Sequence, residues 1–293
     1  MGKIKDGARP SKKRNRLIDL LVCLLLVGGL LLGLALDIVH DRTNYRVEFY
    51  QLSSKRVSGG LRIVFLTDLH LREYGEDNSE LAEDIEKLSP DLILLGGDMV
   101  TESVAGYDGM LSLCSRLSQT APIYGVLGNH EDVKIYLQKD TALLDSFEAA
   151  GVHWLINSTE QIKVGGNTVT LIGVDGKPAD FERYGASDVM ERSGEESRSF
   201  RICMAHVPTY FTERLDDYSF DLGLAGHTHG GIINLPKLGP LYSDEEGFFP
   251  EYARGEYTLS CGATLIVSGG LGDSSSFPPR INNTPELTVI DIS

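Results

Sequence analysis

Apolar and polar positions fall into three regimes along the chain. Leu17–Leu36 is a run of twenty residues whose only charge is Asp19, and about 20 apolar residues suffice for a helix to cross ~30 Å of hydrocarbon. Tyr45–Leu52 (YRVEFYQL) then alternates like a half-buried strand. From Leu61 onward, short apolar runs alternate with helical patterns. Arg62–Thr67, Leu92–Leu95 and Ile123–Leu127 read as buried strands. Between and after them lie a helix marked by Leu81, Ile85 and Leu88, a second over residues 105–119, and a third carrying Leu137, Leu144 and Phe147. That order predicts βαβ units and a largely parallel sheet. After Gly151 the strands shorten. Val152–Ile156, Gln161–Val164 and Val169–Val174 suggest a meander, with Gly165-Gly166-Asn167 at its last turn. Phe200–Met204, Leu222–Leu224, Leu265–Val267 and Leu287–Ile292 follow. Residues 236–256 form a Pro/Gly/acid-rich excursion, and loops of that length are usually functional or disordered. The organisation expected is a tail at 1–16, an apolar span at 17–36, a juxtamembrane linker with the first strand at 37–58, and one α/β domain at 59–293.

Charge changes the picture at the N-terminus. Residues 1–16 hold Lys3, Lys5, Arg9, Lys12, Lys13, Arg14 and Arg16 against Asp6 alone. Basic flanks stay cytoplasmic, so the run predicts a single-pass anchor in the cell membrane, with the N-terminus in and the domain after it outside. A cleaved signal peptide is the competing reading. The run exceeds the ~7–15 residues of a signal peptide's apolar region and no A-x-A-like site follows it. Cys23 has too few apolar residues before it to be a convincing lipidation site. Gly29 and Gly33 have the spacing of a helix-dimerisation face, a weak pointer to a homodimer. The tail holds seven of the 27 basic and one of the 42 acidic residues, leaving 20 against 41, about −21 for the rest. So acidic a domain argues against a nucleic-acid partner. With 42% hydrophobic residues there is ample material for one large core. Cys114, Cys203 and Cys261 sit among apolar neighbours without metal-type spacing and read as buried free thiols.

Five of the seven histidines fall in short motifs directly after predicted strands. These are Asp68-Leu69-His70, Gly128-Asn129-His130-Glu131, Ala205-His206-Val207-Pro208 and Gly226-His227-Thr228-His229-Gly230, and Gly97-Asp98 follows the second strand. Ligands of open α/β sheets collect beyond the carboxyl ends of strands, so these segments should converge. Asp, Asn and neutral imidazole suit Mn, Fe or Zn, whereas Ca or Mg prefers oxygen throughout. Residues i and i+2 of an extended segment point the same way, so Asp68 and His70 can share one ion. His227 and His229 can each serve one ion of a close pair, and Asp98 is the candidate bridge. Each fragment alone is weak; five in order after strands are specific. His40 and His153 match nothing, the first expected at the membrane surface and the second structural beside Trp154.

The series D-x-H, G-D, G-N-H-E, H-x-P, G-H-T-H-G resembles the calcineurin-like metallophosphoesterase superfamily. The apolar run, Tyr252–Tyr257, Ser268–Gly272, Arg280 and Pro285–Leu287 resemble its membrane-anchored bacterial YkuE/YaeI-like branch, from about Tyr45 to the end. The resemblance implies a four-layer αββα sandwich of two mixed sheets. It implies one metal held by Asp68, His70, Asp98 and His229, and a second held by Asp98, Asn129, His206 and His227. It also implies in-line attack of water on phosphorus, with His130 protonating the departing alkoxide. Two departures stand out. Many relatives carry an acid three residues after the bridging Asp, where this chain has Thr101, so Glu102 or Glu131 is the alternative partner for His130. The branch often has Gln where this chain has Ile232, a change at the substrate pocket. The expected function is hydrolysis of a phosphomonoester or phosphodiester at the outer membrane face, on a lipid-linked, cell-wall or nucleotide-sugar phosphate. A nuclease of the same superfamily lacks support from any basic stripe. A non-catalytic binding scaffold would require missing ligands, and none is missing.

Overall fold

The computed structural model describes residues 12–176, 185–193, 198–243, 245–273 and 278–293. Most of the basic tail lies outside them. Helix α1 (Lys12–Thr43) contains the apolar run, and among the described residues Ile18–Thr43 is long and apolar enough to cross a membrane, with the side chains from Ile18 to Leu36 exposed. The helix does not stop at Leu36. Its last turns dock on the domain, where the Asp41 carboxylate, itself buried, accepts from the Asn283 N–H at 3.0 Å and the Thr284 hydroxyl at 2.8 Å. Arg72 donates to the Asp41 carbonyl at 2.9 Å. The stretch 37–58 thus holds the expected first strand, but its opening residues are docked helix, because Asp37 and Asp41 find partners on the domain surface.

Two six-stranded mixed sheets face each other. The first runs in the order β1 (Arg46–Leu52), β16 (Glu286–Ile292), β2 (Leu61–Leu66), β3 (Leu92–Leu95), β4 (Ile123–Gly125), β5 (Val152–Trp154). The second runs β14 (Gly255–Thr258), β15 (Thr264–Val267), β9 (Leu222–Ala225), β8 (Phe200–Ala205), β7 (Asn167–Val174), β6 (Ser158–Val164). β2 to β5 are parallel, as are β15, β9, β8 and β7.

The period-2 pattern explains the layering. Along β2, Ile63 and Phe65 join the core between the sheets, against Leu171, Ile202, Leu224 and Ile266. Val64 and Leu66 point outward, against α2 (Ser79–Leu88), α3 (Asp108–Leu117) and α5 (Leu143–Ala149), through Leu81, Ile85, Leu113 and Phe147. On the far side Ile172, Cys203 and Leu265 pack against α6 (Ala186–Ser193) and α7 (Thr209–Glu213). The result is helix, sheet, sheet, helix.

Three local expectations change. The helix expected to carry Leu137, Leu144 and Phe147 is broken: α4 (Asn129–Asp132) and a π-helical turn (Val133–Leu137) end near Lys139, whose φ is 61°, before α5 begins. Leu137 is exposed, so the apolar spacing that suggested one helix did not come from one buried face. The meander also divides. β5 pairs in parallel with β4 in the first sheet, and only β6 and β7 form the hairpin, at the Gly165-Gly166 turn. Cys114 and Cys203 are buried free thiols, but Cys261 is exposed beside the turn that leads into β15.

Candidate metal centre

All the motif loops leave the carboxyl ends of parallel strands. Asp68 and His70 follow β2, Asp98 follows β3, and Asn129 and His130 open α4 after β4. His206 follows β8, and His227 and His229 follow β9. The first two loops are joined by backbone bonds, Asp68 N–H to Gly97 O and His70 N–H to Asp98 O, both 3.0 Å. The sheets meet through Asp68, whose carboxylate accepts the His227 N–H at 2.9 Å. Two glycines permit this approach. A Cβ at Gly226 would lie 2.4 Å from Asp68 Oδ2, and one at Gly128 would lie 2.2 Å from Asp98 Oδ1.

The loops do not continue the strand geometry. Asp68, His70, Asp98, His227 and His229 have φ between 49° and 69°, in the left-handed region that non-glycine residues seldom occupy. Such strain clusters where surrounding structure imposes it, often at functional sites. Asp68 and His70 therefore come together through a left-handed turn, not through the strand alternation expected from the sequence.

Among the described residues the side chains form three overlapping groups: Asp68, His70 and His229; His70, Asp98 and His130; and Asp98, His206 and His227, with each group's ligand atoms within 4.8 Å of one another. His70 Nε2 and His229 Nε2 are 3.2 Å apart, as are His206 Nε2 and His227 Nδ1. Asp98 Oδ2 lies between the groups, 3.2 Å from His206 Nε2 and 3.9 Å from His70 Nε2. Its Oδ1 accepts the His130 N–H at 2.9 Å. The Oδ1 of Asn129 is buried without a protein partner. An orphaned carbonyl oxygen on the residue before His130, together with the converging imidazoles and carboxylates, supplies the donor types that a divalent cation takes.

Electrostatics favours the same occupant. Burial pushes His70 down and His229 well down, so both imidazoles keep lone pairs available. Burial opposes charge on Asp98 too, but the surrounding imidazoles, His206 foremost, hold its carboxyl far below the usual range. His206 Nδ1 lies 2.7 Å from the Gly96 carbonyl, which can only accept, so this nitrogen carries hydrogen and Nε2 faces Asp98.

The acid beside His130 is Glu102, whose Oε2 contacts His130 Nδ1. Glu131 has different work. Its two oxygens accept four backbone N–H groups, from Asp98 and Met99 at 2.8 Å, Gly128 at 2.9 Å and Val100 at 3.1 Å. Burial and the charge of Asp98 nevertheless push its carboxyl up to about 7. Thr101 turns its hydroxyl to Ser103, and Ile232 is buried. His130 Nε2 lies 3.7 Å from Asp98 Oδ2, at the edge of the cluster. His40 is exposed on α1, and His153 stacks on Tyr124 with centroids 5.0 Å apart.

Two neighbours carried no assigned role in the sequence. Arg280, fully buried, donates to the carbonyls of His229, Gly269 and Gly272 at 2.6–2.9 Å, fixing the loop that carries His229. Glu245, in the acid run of the long excursion, stands 3.7 Å from His227 Nε2. Arg280 is marked in the sequence only by the resemblance, without a role, and an acid in an acid run gives no periodic signal.

Two facing mixed sheets with a buried Asp/His/Asn cluster at their carboxyl edges define a metal-dependent phosphoesterase fold. Residues 61–231, more than half of the chain, match the calcineurin-like phosphoesterase family, and this protein belongs to that family. The family depends on a pair of metal ions and its members are hydrolases. The chain is similar to phosphodiesterase YaeI of Escherichia coli, 28% identical over 235 residues, covering 79% of this chain and 82% of the relative. It is also similar to the uncharacterized metallophosphoesterase YkuE of Bacillus subtilis, 29% identical over 244 residues, covering 80% and 79%. Among solved structures, the phosphopantetheinyl hydrolase of Mycobacterium tuberculosis superposes with a TM-score of 0.45 at 13% identity, over 73% of this chain and 91% of that one.

Proposed function

We propose that this protein hydrolyses phosphoester bonds at the outer face of the membrane that α1 enters. In this reading Asp68, His70, Asp98 and His229 hold one ion, and Asp98, Asn129, His206 and His227 the other. Mn, Fe or Zn suits so mixed a nitrogen and oxygen set. The observation that carries the reading is the head-to-head approach of imidazole nitrogens around two buried carboxylates, beside the orphaned Asn129 oxygen. When bound, the ion pair supplies stabilisation of charge on the phosphoryl oxygens and lowers the pKa of water.

The chain's own groups do the rest. Glu102 contacts Nδ1 of His130, which turns Nε2 toward the cleft, and His130 passes a proton from Nε2 to the departing alkoxide. Glu131 keeps the Asp98 and Asn129 turns in register. The relative named as a phosphodiesterase supports a diester substrate. The anchor supports an envelope one: a lipid-linked, cell-wall or nucleotide-sugar phosphate.

The test uses the full chain in detergent. It should hold close to two transition-metal ions and lose activity with chelator. His130→Ala should keep its metal yet lose ~10²–10⁴ in rate on alkyl esters, and less on nitrophenyl esters whose leaving group needs no proton. Full metal content and an undiminished rate in Asp98→Asn would sink the shared-ligand assignment.

A further inference from the structure

We infer that the two hairpins of the long excursion dip into the bilayer beside α1, so that the domain touches the membrane at a second, apolar point. The inference rests on the anchor reading of α1. The hairpins are β10 (Asn234–Leu235) with β11 (Gly239–Pro240), and β12 (Tyr242–Ser243) with β13 (Gly247–Phe248). They present Leu238, Phe248 and Phe249 with 72%, 72% and 62% of their surface exposed. Leu238 and Phe249 sit at or beside turns, and Phe248, on β13, meets the Tyr242 ring edge-on with centroids 5.4 Å apart while most of its surface stays open.

Their position relative to the helix selects the bilayer as the occupant. Asp37 is the first residue after the apolar run, and its carboxylate accepts the Asn282 N–H at 2.6 Å. Asn282 in turn donates through its side chain to the Asn234 carbonyl at 3.0 Å, so β10 begins at the level where the helix leaves hydrocarbon. Leu238 is four residues further, hence within ~14 Å of Asn234 at the maximum reach of extended chain. The second hairpin is tied to the first, since the Phe249 N–H donates to Leu241 O and the Leu241 N–H to Ile233 O, at 2.9 and 2.8 Å. Aromatic side chains at this depth suit the boundary between headgroups and acyl chains. Lys237, next to Leu238, is placed to keep its ammonium in the headgroups. The acidic domain excludes attraction to anionic lipid, so the contact is apolar insertion into a neutral interface. Because the same excursion carries Glu245 to His227, the metal cleft opens within reach of the headgroups.

The test places the full chain in phosphatidylcholine vesicles and uses tryptophan as the depth probe. The only native tryptophan, Trp154, lies on β5, the edge of the first sheet opposite β1. Phe248→Trp in a Trp154→Phe background should lose at least about half its emission when the acyl chains are brominated, because quenching needs near contact. Leu238→Trp in the same background repeats the reading from the other hairpin. Emission from wild-type Trp154 should not change. If neither new tryptophan is quenched while the chain resists carbonate extraction from the vesicles, the second contact is refuted and the anchor stands. If carbonate extracts the chain, the anchor reading falls and takes this inference with it.

Discussion

At pH 8 to 9, above the value of about 7 to which burial and Asp98 push the Glu131 carboxyl, Glu131→Gln removes one charge and exchanges one oxygen for an amide nitrogen, with almost no change of shape. In the native site Oε1 accepts from Met99 and Val100, and Oε2 from Asp98 and Gly128. Glutamine can satisfy one of these pairs. Its NH2 must face the other two N–H groups, which are buried and have nowhere else to turn. Each stranded donor costs about 1–3 kcal/mol, so the substitution costs about 2–6 kcal/mol of a total stability on the order of 5–15 kcal/mol. For a domain of this size each kcal/mol moves the melting point by about 2–4 °C, which predicts a fall centred near 10 °C. The damage is local as well as global. The stranded donors lie in the Asp98–Val100 turn or at Gly128, so the turns bearing Asp98 and Asn129 loosen and metal binding weakens. The assay is thermal unfolding of the full chain in detergent, metal-free and loaded, with metal content by mass spectrometry. A variant that melts within a degree or two of wild type and keeps two ions would refute the clamp.

Three further outcomes follow from the same geometry. Glu102→Gln should keep both ions but lose roughly 10–100-fold in rate on alkyl esters, the range for groups that support a site from behind, and unchanged rates would remove Glu102 as the partner of His130. In chelated protein, burial opposes the charged His206 imidazole, but Asp98 at 3.2 Å outweighs it and pushes His206 up to about 10. A raised folded-state pKa gives stability that is complete below ~6.5 and lost as pH rises through 10, so the metal-free protein should weaken over that window. Metal affinity should strengthen over the same window with proton release, and calorimetry in buffers of different ionisation heat would show no release if the assignment is wrong. Finally, protease added to intact spheroplasts should digest the domain. Resistance until the membrane is broken would reverse the orientation, and a soluble product starting near Asp37 would make α1 a cleaved signal.

The parts legible in the sequence are those where local pattern and tertiary fate coincide. The buried strands at 61–66, 92–95 and 200–205 and the loops after them could be read because a mostly apolar run must be buried along its length, and an Asp or His soon after its end marks where the sheet edge meets polar surroundings. The acid opposite His130 could be narrowed only to Glu102 or Glu131, because choosing between them depends on which backbone amides fold back, and that is a tertiary fact. The place of β5 in the first sheet was hidden for a related reason: three short strands in series look alike whether they pair with one another or part company. The left-handed backbone at Asp68, His70, Asp98, His227 and His229 was invisible, since strain is imposed from outside the residue that bears it. The run of α1 past Leu36 was hidden by Asp37 and Asp41, charges that mark a helix end in isolation but find partners on the docked domain.

The position of β16 sets a timetable for the whole molecule. This strand, Glu286–Ile292, lies between β1 and β2, parallel to the one and antiparallel to the other, though some 230–240 residues separate it from each. Until it arrives, β1 has no neighbour and β2 has an open flank. Glu286 must also come into place before Arg46 and Arg254 find their shared carboxylate, at 3.1 and 3.0 Å. A chain emerging from a ribosome or a translocon can form the β2–β3–β4 units early, because their partners are close in sequence. It cannot close the first sheet until residue 292 is free, and contacts this distant make closure slow. During that interval the exposed edge of β2 needs shielding, so loss of only the last few residues of β16 would leave that edge open and the chain prone to stick to itself.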